Sequence, residues 1–247
     1  MVTQQQTQFK ILLIGDRCKD VYQYGYVDRI SPEAPVPVFV KTTSSVKYGM
    51  VENVAVNLFA LGCEVKVISG NESIKTRLID ARSKQQLVRI DEDAYSEPVT
   101  IKDSLDGYDA IVISDYNKGV VSYDLIDYLR STTKAPIFID TKKTDLHRFE
   151  GCFVKINSLE YGRAETACTD LIVTMGDKGA SYKGQVYPAV PSEVVDVCGA
   201  GDTFLSALAF EYLRSGDIVD AIKFANKASA ISVRHTGCFA PSLGEIE

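Results

Sequence analysis

The sequence predicts an α/β protein with a mostly parallel sheet, helices on both faces of that sheet and a small β-sheet lid. Three observations support this prediction. Short apolar runs recur with helical stretches between them, the 247 residues are 45% hydrophobic, and three extended segments interrupt the alternation. Alternating strands and helices are typical of parallel sheets, because each parallel crossover needs a long connection. No linker divides the chain, and we expect a single domain over residues 1–247.

Six apolar runs are the predicted strands of the main sheet: 10–15, 64–69, 110–114, 136–140, 153–156 and 171–175. Ligands of open parallel sheets bind at the carboxyl ends of the strands, so polar residues there are the first candidates for a site. These residues are Asp16, Asp20, Asp115, Asp140, Asn157, Glu160, Thr174 and Gly176.

Segments 36–42, 75–81 and 86–91 are extended, partly alternating and rich in charge. The last two can pair as a hairpin across Arg82-Ser83-Lys84. We expect a small β-sheet outside the main one, with lid segments at about 29–48 and 75–93, that covers the ends of the strands.

The charge balance excludes some classes of partner. With 27 basic and 33 acidic residues, a net charge of -6 and no basic block, neither nucleic acid nor an anionic membrane is the expected main partner. The start, MVTQQQTQ, lacks the features of a secretory signal, and no apolar run approaches membrane-spanning length. The six cysteines form no C-x-x-C pair and, with two histidines, do not resemble a zinc site. We expect reduced thiols and a cytoplasmic location.

The segment DVCGAGDTF, residues 196–204, places two glycines and an aspartate at the predicted start of a helix that ends near Gly216. The free N–H groups of a helix N-terminus favour an anion, and glycines let the backbone approach a phosphate. Asp202 adds a negative charge that an anion site does not need, which indicates a chemical role. Taken alone, the motif favours a plainer interpretation, a tight turn with a carboxylate stabilised by the helix dipole.

Further motifs occur in order along the chain: GDRCKDVYQYG, RISPEAPVPVF, YGMVENVAVNLFALG, KTRLIDARSKQQLVRID, DYNKGV, NSLE, VTMGDKG, DVCGAGDTF and ANKASAISVRHTG. Together they resemble the ribokinase-like, or PfkB, family of sugar kinases, and most closely its heptose-7-phosphate kinase branch, from about Lys10 to Gly237. The resemblance implies a ribokinase-like fold, ATP and Mg²⁺ as cofactors, and phosphate transfer to a hydroxyl of a sugar or sugar phosphate. Heptose 7-phosphate, converted to the 1,7-bisphosphate, is the best single candidate.

The same resemblance assigns roles to the glycine-rich motif. Asp202 would be the catalytic base that accepts the proton of the sugar hydroxyl. The N–H groups of Gly199, Ala200 and Gly201 would hold the charge that develops on the transferred phosphoryl group.

On the substrate side, the resemblance places Asp20, Gly49 and Asn53 in the sugar pocket, with Asp16 and Asp115 as further candidates. An alternative for Asp16 is that it only caps a turn. Four basic residues in or beside the lid could contact a sugar phosphate: Arg29, Lys75, Arg77 and Arg89. A solvated lid surface is the alternative for these four.

On the nucleotide side, the resemblance implies that Thr174 and Gly176 contact ATP and that Asn226 lies near the adenine, with Lys118 as a further candidate. Asn157 and Glu160 would order Mg²⁺ through water, since this ion prefers oxygen ligands and keeps much of its hydration. A solvated loop is the alternative for Asn157 and Glu160.

Three features depart from the family pattern. Met50 stands where the second glycine of the sugar loop is expected, which would narrow the pocket, change the substrate or disable the site. The chain lacks the helix and strand that relatives insert after 64–69, and it leaves room for one short helix between Asn157 and Asp170. Relatives with two activities continue into a nucleotidyltransferase domain, whereas this sequence stops at Glu247, so we expect the kinase activity alone.

Two other functions remain open at this point. One is a non-catalytic homologue that binds a sugar phosphate or a nucleotide, and the other is a PfkB kinase for another sugar or a nucleoside. The complete GAGD motif favours catalysis, because a binding protein has no use for a base. Open edges of a small sheet are usually covered, and lids of this family commonly pack together, so we also expect a homodimer through the lid.

Overall fold

The computed structural model describes residues 8–247. The segment analysed above for a secretory signal lies, apart from Gln8, outside the described residues. The strands are β1 Lys10–Ile30, β2 Pro37–Met50, β3 Glu64–Asp80, β4 Gln86–Glu92, β5 Ala110–Asp115, β6 Ile137–Thr141, β7 Phe153–Asn157, β8 Leu171–Thr174, β9 Ala180–Tyr182 and β10 Gln185–Tyr187. The α-helices are α1 Val51–Ala60, α2 Tyr123–Thr132, α3 Ser158–Tyr161, α4 Ala200–Ser215, α5 Ile218–Ser232 and α6 Leu243–Ile246.

The strands form one sheet in the order β10-β9-β8-β7-β6-β5-β1-β3-β4, with β2 paired to β1. The central pairs from β3 through β1, β5, β6 and β7 to β8 are parallel, and the outer pairs are antiparallel. The predicted mostly parallel sheet is therefore confirmed, and each of the six predicted strands is found.

The core has two layers because side chains alternate across each central strand. Ile11 and Leu13 of β1 pack with α1, α4 and α5 on one face. Leu12 and Ile14 pack with α2 on the other. Both faces are covered, which explains why the central strands are continuous apolar runs.

The expectation of a lid sheet separate from the main sheet is wrong. The 21-residue β1 and the 17-residue β3 run through the core and continue outward side by side. There β2 joins the free side of β1 and β4 joins β3, so the lid has the order β2-β1-β3-β4. The predicted hairpin is confirmed as the antiparallel pair of β3 and β4. The lid is an extension of the core because β3 passes from one region to the other with no intervening turn.

The predicted trimming is visible in two places. β3 enters the lid directly, and between Asn157 and Asp170 the only α-helix is the four-residue α3. Among residues 8–247, no helix has the length and apolar character needed to span a bilayer.

Candidate active site

The glycine-rich loop lies at the N-terminus of α4, as predicted. Gly199 caps the helix in the left-handed region at φ 77°. A Cβ on Gly199 would lie 2.7 Å from Asn53 Nδ2 and 3.0 Å from Cys238 Sγ. Glycine is therefore required here both by the backbone angle and by the lack of space.

Asp202 lies in the first turn of α4 and is only 6% exposed. Its Oδ2 accepts a 2.7 Å hydrogen bond from Nδ2 of Asn53, a residue of α1 that is 149 positions away in the sequence. Two residues assigned to different subsites by resemblance are thus in direct contact. The bond holds the carboxylate in place through Oδ2.

The pKa of Asp202 is raised to about 6, chiefly by burial; the Asn53 hydrogen bond lowers it, the nearby charge of Asp140 raises it, and Lys155 and Lys142 lower it. A carboxylate with this pKa is mostly ionised at neutral pH. It is also more basic than an exposed aspartate, whose pKa is about 3.9. Asp202 is therefore suited to accept a proton near neutral pH.

A buried ion pair lies next to the second glycine of the loop. Lys155 Nζ of β7 is 2.7 Å from Asp140 Oδ2 of β6, and the two side chains are 4% and 8% exposed. A Cβ on Gly201 would lie 2.9 Å from this Nζ. Asp140 was a candidate from its place at a strand end, whereas Lys155 was not. The signal was a lysine in the interior of an otherwise buried strand, where lysine is rare unless paired.

A cavity of about 430 Å³ opens beside the loop. Five predicted residues line it together: Thr174, Gly176, Ala200, Gly201 and Asn226. The remaining walls are mostly small or apolar side chains, among them Val190, Pro191, Val194, Val197, Ala230 and Val233. The cavity thus combines an apolar slot with a helix N-terminus at one end, a combination that suits a flat ring attached to phosphates.

Asn226 lines this cavity, but its side-chain amide nitrogen already donates hydrogen bonds to the protein. Its Nδ2 donates to the carbonyl oxygens of Tyr187 and Pro188 at 3.0 and 3.2 Å. These bonds fix the segment after β10 that forms one wall. Thr174 Oγ1 likewise donates to the Ile156 carbonyl at 3.3 Å.

Asn157 and Glu160 form a capping box at the start of α3. Asn157 Oδ1 accepts from the Glu160 N–H at 2.9 Å, and Glu160 Oε2 accepts from the Asn157 N–H at 2.8 Å. Lys142 Nζ pairs with the other carboxylate oxygen. No cluster of three metal-ligating side chains occurs among residues 8–247. The donor set therefore fits only a hydrated Mg²⁺ held mainly by phosphates, with Glu160 as an outer partner.

The sugar-side candidates Asp20 and Gly49 meet at the base of the lid. A Cβ on Gly49 would lie 3.1 Å from Asp20 Oδ2, and Arg77 Nη2 donates to Asp20 Oδ1 at 3.0 Å. Arg77, one of the four lid cations, is therefore beside Asp20, the residue predicted to bind the sugar. Lys75 is the register partner of Asp20 on β3.

Met50 is buried and has φ 57° and ψ -126°, angles that favour glycine. The backbone thus keeps the conformation of a glycine loop although the side chain has changed. The strained residue directly precedes α1, the helix that carries Asn53.

Three candidates make contacts that explain their positions without a ligand. Asp16 Oδ2 accepts from the N–H groups of Tyr116 and Lys118 at 2.8 and 3.2 Å, which agrees with the alternative that it caps a turn. Asp115 accepts from Thr141 Oγ1, Lys143 Nζ and the Asn117 N–H at 2.7 to 2.9 Å. Lys118 Nζ pairs with Asp93 at 2.6 Å and does not line the cavity described above.

Two lid cations lie away from Asp20. Arg29 is nine residues further along β1, roughly 30 Å at the usual rise of a strand, so it is out of reach of Asp20 within one chain. Arg89 pairs with Asp91 at 2.9 Å and lies opposite Arg77 in the β3–β4 register. Of the four cations, Lys75 is thus paired with Asp20 in the β1–β3 register, and Arg77 is hydrogen-bonded to it.

The fold is that of solved ribokinases. A ribokinase from Thermotoga maritima matches with a TM-score of 0.72 at 18% identity, covering 96% of this chain and 98% of that chain. A ribokinase from Arabidopsis thaliana, solved with ribose and ATP, matches with a TM-score of 0.71 at 15% identity over 97% and 98% of the two chains. The class of fold is thus ribokinase-like.

Sequence comparison relates part of the chain to a family of carbohydrate kinases. Residues 157–243 match the model of the pfkB family of carbohydrate kinases. Two relatives are each described as bifunctional protein HldE: that of Campylobacter curvus is 32% identical and that of Nitratiruptor sp. is 29% identical, each alignment covering 96% of this chain and 64% of the relative. Residues 157–243 are thus similar to the pfkB family of carbohydrate kinases, and the chain spans about 64% of the length of these relatives.

The alignments also bear on the trimming. The alignment with the Campylobacter curvus relative extends over 302 positions, which is more than the 247 residues of this chain. The relative therefore has internal residues that this chain lacks, which confirms that the chain is shortened.

Proposed function

We propose that this protein transfers the γ-phosphoryl group of ATP to a hydroxyl of a sugar or sugar phosphate. The observation that carries the proposal is the placement of Asp202: it is buried, restrained by Asn53, and located in the helix turn whose Ala200 and Gly201 border the cavity. Base and anion site come from one turn, so a hydroxyl beside Asp202 lies next to the phosphate that it attacks.

In this reaction Asp202 accepts the proton of the sugar hydroxyl as the oxygen attacks the γ-phosphorus. The N–H groups at the start of α4 stabilise the charge on the transferred phosphoryl group. Glu160 would hold a hydrated Mg²⁺ as an outer partner, and the ion would supply positive charge that neutralises the phosphates. Thr174, Gly176 and the apolar walls of the cavity hold the nucleotide.

The proposed acceptor is a phosphorylated sugar, with heptose 7-phosphate as the first candidate. Asp20 and Gly49 hold the sugar, and Lys75 and Arg77 provide positive charge beside Asp20. The resemblance of RISPEAPVP to the heptose-7-phosphate kinase branch favours this acceptor over other sugars and nucleosides.

A homodimer through the lid and a cytoplasmic location belong to the same proposal. The lid edge strands β2 and β4 each have one partner strand among residues 8–247. Val88 and Ile90 of β4 are each 48% exposed, and a second lid could cover them. All six cysteines are free, which agrees with a reducing compartment. Light scattering that gives the mass of one chain at micromolar concentration would contradict the dimer.

The test is ADP release from Mg·ATP with a panel of sugars, sugar phosphates and nucleosides that includes heptose 7-phosphate. Turnover with one acceptor, lost in Asp202→Asn, would establish the kinase and identify its sugar. Binding of an acceptor by calorimetry without any turnover would instead favour the non-catalytic homologue, and Met50→Gly then tests whether the altered loop is the cause.

A further inference from the structure

We propose that Lys155 is a positioning residue for phosphoryl transfer: its ammonium, held by Asp140, supports the anion loop at Gly201 and places a fixed positive charge near Asp202. The proposal rests on the proposed kinase function and adds a residue that the sequence motifs do not include.

The first argument is geometric. The Lys155 ammonium is 2.7 Å from Asp140 Oδ2, and a Cβ on Gly201 would be 2.9 Å from the same nitrogen. The side chain thus fills the space directly beside the loop backbone. Because Lys155 arises from the central strand β7, this support is anchored in the core of the sheet.

The second argument concerns the free-energy cost of burying the ion pair of Lys155 and Asp140. Burying two charges is unfavourable unless hydrogen bonds satisfy their remaining polar atoms, and an apolar pair of similar size is often at least as stable. Here Asp140 Oδ1 is buried without a hydrogen-bond partner. Stability alone therefore gives a poor account of the pair, whereas a role for its charges beside the reacting groups accounts for it.

The charged and titratable groups that face Asp202 come from every neighbouring element. Asp140 of β6 raises its pKa, and Lys155 of β7 and Lys142 after β6 lower it. Tyr116 after β5 and Cys238 after α5 also lie close enough for Asp202 to raise their pKa values. Within this group, Lys155 and Asp140 act on Asp202 with opposite signs.

The test measures the Asp202 pKa directly, by ¹³C NMR titration of labelled aspartate carboxyls in the free protein, with Asp202→Asn to assign the signal. Lys155→Met should raise this pKa by about one pH unit or more. Lys155→Arg keeps the charge and should restore the wild-type pKa. If the unpaired Asp140 prevents folding, Asp140→Asn alone is compared with Asp140→Asn combined with Lys155→Met, and the double variant should have the higher Asp202 pKa.

Kinetics complete the test. In Lys155→Met the acid limb of kcat/KM should move to higher pH by the same amount and kcat should fall, while KM for ATP changes little. An unmoved Asp202 pKa and acid limb in folded variants would show that Lys155 is only structural and would overturn the inference. Absence of turnover by the wild type, with the pKa still dependent on Lys155, would overturn the proposed function and not the charge coupling.

A separate observation concerns two cysteines beside the same loop. The geometry points to an oxidation-sensitive pair formed by Cys198, directly before Gly199, and Cys238, whose Sγ is 3.7 Å from that of Cys198. Cys198 is exposed, and its thiol pKa is lowered to about 7, chiefly because Cys238 donates a hydrogen bond to it. The Cys198 thiolate is therefore both accessible and abundant at neutral pH.

The chemistry is a two-electron oxidation by a hydroperoxide. The Cys198 thiolate attacks the peroxide oxygen, the O–O bond breaks, and a sulfenic acid and an alkoxide or hydroxide form. The Cys238 thiol then attacks the sulfenic sulfur, and the disulfide forms with loss of water. A bond between these sulfurs would tie the loop before Gly199 to the segment after α5 and restrict the anion site.

Peptide mass spectrometry after treatment with hydrogen peroxide tests whether the pair forms a disulfide, and ADP release tests the effect of that bond. We expect a Cys198–Cys238 disulfide that dithiothreitol reverses, with loss and recovery of ADP release in parallel. Cys198→Ser and Cys238→Ser should prevent it, whereas Cys168→Ser, a control away from the loop, should not. Formation of sulfinic acid at Cys198 with no disulfide, or a disulfide that leaves turnover unchanged, would overturn the inference.

Discussion

The two ends of the candidate site are built in opposite ways. At the phosphate end, Asp202, Asn53, Asp140 and Lys155 are all buried and form two pairs, Asn53–Asp202 and Lys155–Asp140, each with a bond of 2.7 Å. At the lid, β4 is exposed along its whole length, and β2 is largely exposed.

This contrast separates chemistry from specificity. In the proposed reaction, the phosphate end stabilises charges that are the same for every acceptor, so its residues are fixed by the reaction and by packing. The lid would contact the part of the substrate that differs between sugars, and its exposed strands can change with little cost to folding. The reaction is therefore easier to infer than the substrate, and substitutions in the two regions should differ in kind.

The largest expected effect comes from Asp202→Asn at the phosphate end. Loss of the base should lower kcat/KM by roughly 10²- to 10⁴-fold. The same change should raise the free energy of unfolding at pH 7 by about 1–3 kcal/mol, because it removes a buried charge. Urea unfolding and ADP release on the same preparations measure both.

The direction in which stability changes with pH follows from the raised pKa of Asp202, which is about 6 in the folded chain and about 3.9 in the unfolded chain. Between these values the folded chain holds the proton more tightly, so stability present below pH 4 is lost as the pH rises through 6. The gap in stability between wild type and variant should therefore shrink at pH 4. A gap that grows at pH 4 would contradict the assignment of a buried, charged Asp202.

A comparison within α4 tests the packing of the loop. Gly199 and Gly216 cap the two ends of this helix at φ 77° and 73°, but a Cβ meets Asn53 and Cys238 only at Gly199. Each alanine variant should lose about 1–2 kcal/mol of unfolding free energy from the backbone angle. Gly199→Ala should lose more, and its turnover should fall on the order of 10²-fold. Equal turnover in both variants would show that loop packing does not matter for catalysis.

Two arginines of the lid provide a matched pair. Arg77 is partly buried against Asp20, whereas Arg82 forms an exposed pair with Asp28. Arg77→Met should raise KM for the phosphorylated sugar about tenfold, the loss of one charged hydrogen bond, with KM for ATP retained. Arg82→Met should stay within about 0.5 kcal/mol of wild type in stability and leave both KM values unchanged. Steady-state kinetics at varied sugar and varied ATP distinguish these outcomes.

The smallest effect on stability is expected for Met50→Gly. Relief of backbone strain should contribute about 1–3 kcal/mol, and loss of the buried side chain should cost about 1.5–3 kcal/mol, so the two nearly cancel. The acceptor range should widen, because the pocket loses a long side chain. A large loss of stability in urea, with an unchanged acceptor range, would place Met50 in the core and not at the sugar pocket.

The sequence predicted most of the phosphate end because its motifs are local. Gly199 to Asp202 lie within one helical turn, and the strand pattern places Thr174 and Gly176 next to it. The ion pair of Lys155 was missed since it depends on two strands whose side chains meet only in the folded sheet. The capping box of Asn157 and Glu160 shows the reverse case, in which a short motif has a complete structural explanation.

The lid was predicted as strands but assigned to a separate sheet. Apolar and charged patterning indicates that a segment is extended, but it does not indicate which sheet the segment joins. β1 and β3 change from buried to exposed along their length while they remain single strands. The distance of Arg29 from Asp20 could not be predicted for the same reason, because only the continuity of β1 shows it.

The continuity of β1 and β3 couples the lid mechanically to the core. Two strands cross from core to lid without a break, and their pairing shifts register between Gly15 and Arg17. Asp16 lies at this shift and is tied to the N–H groups of Tyr116 and Lys118. Motion of the lid must bend and twist this ribbon about a clamped base. A movement of the lid that admits a substrate would therefore meet elastic resistance. The hydrogen bonds between β1 and β3 set the size of that resistance.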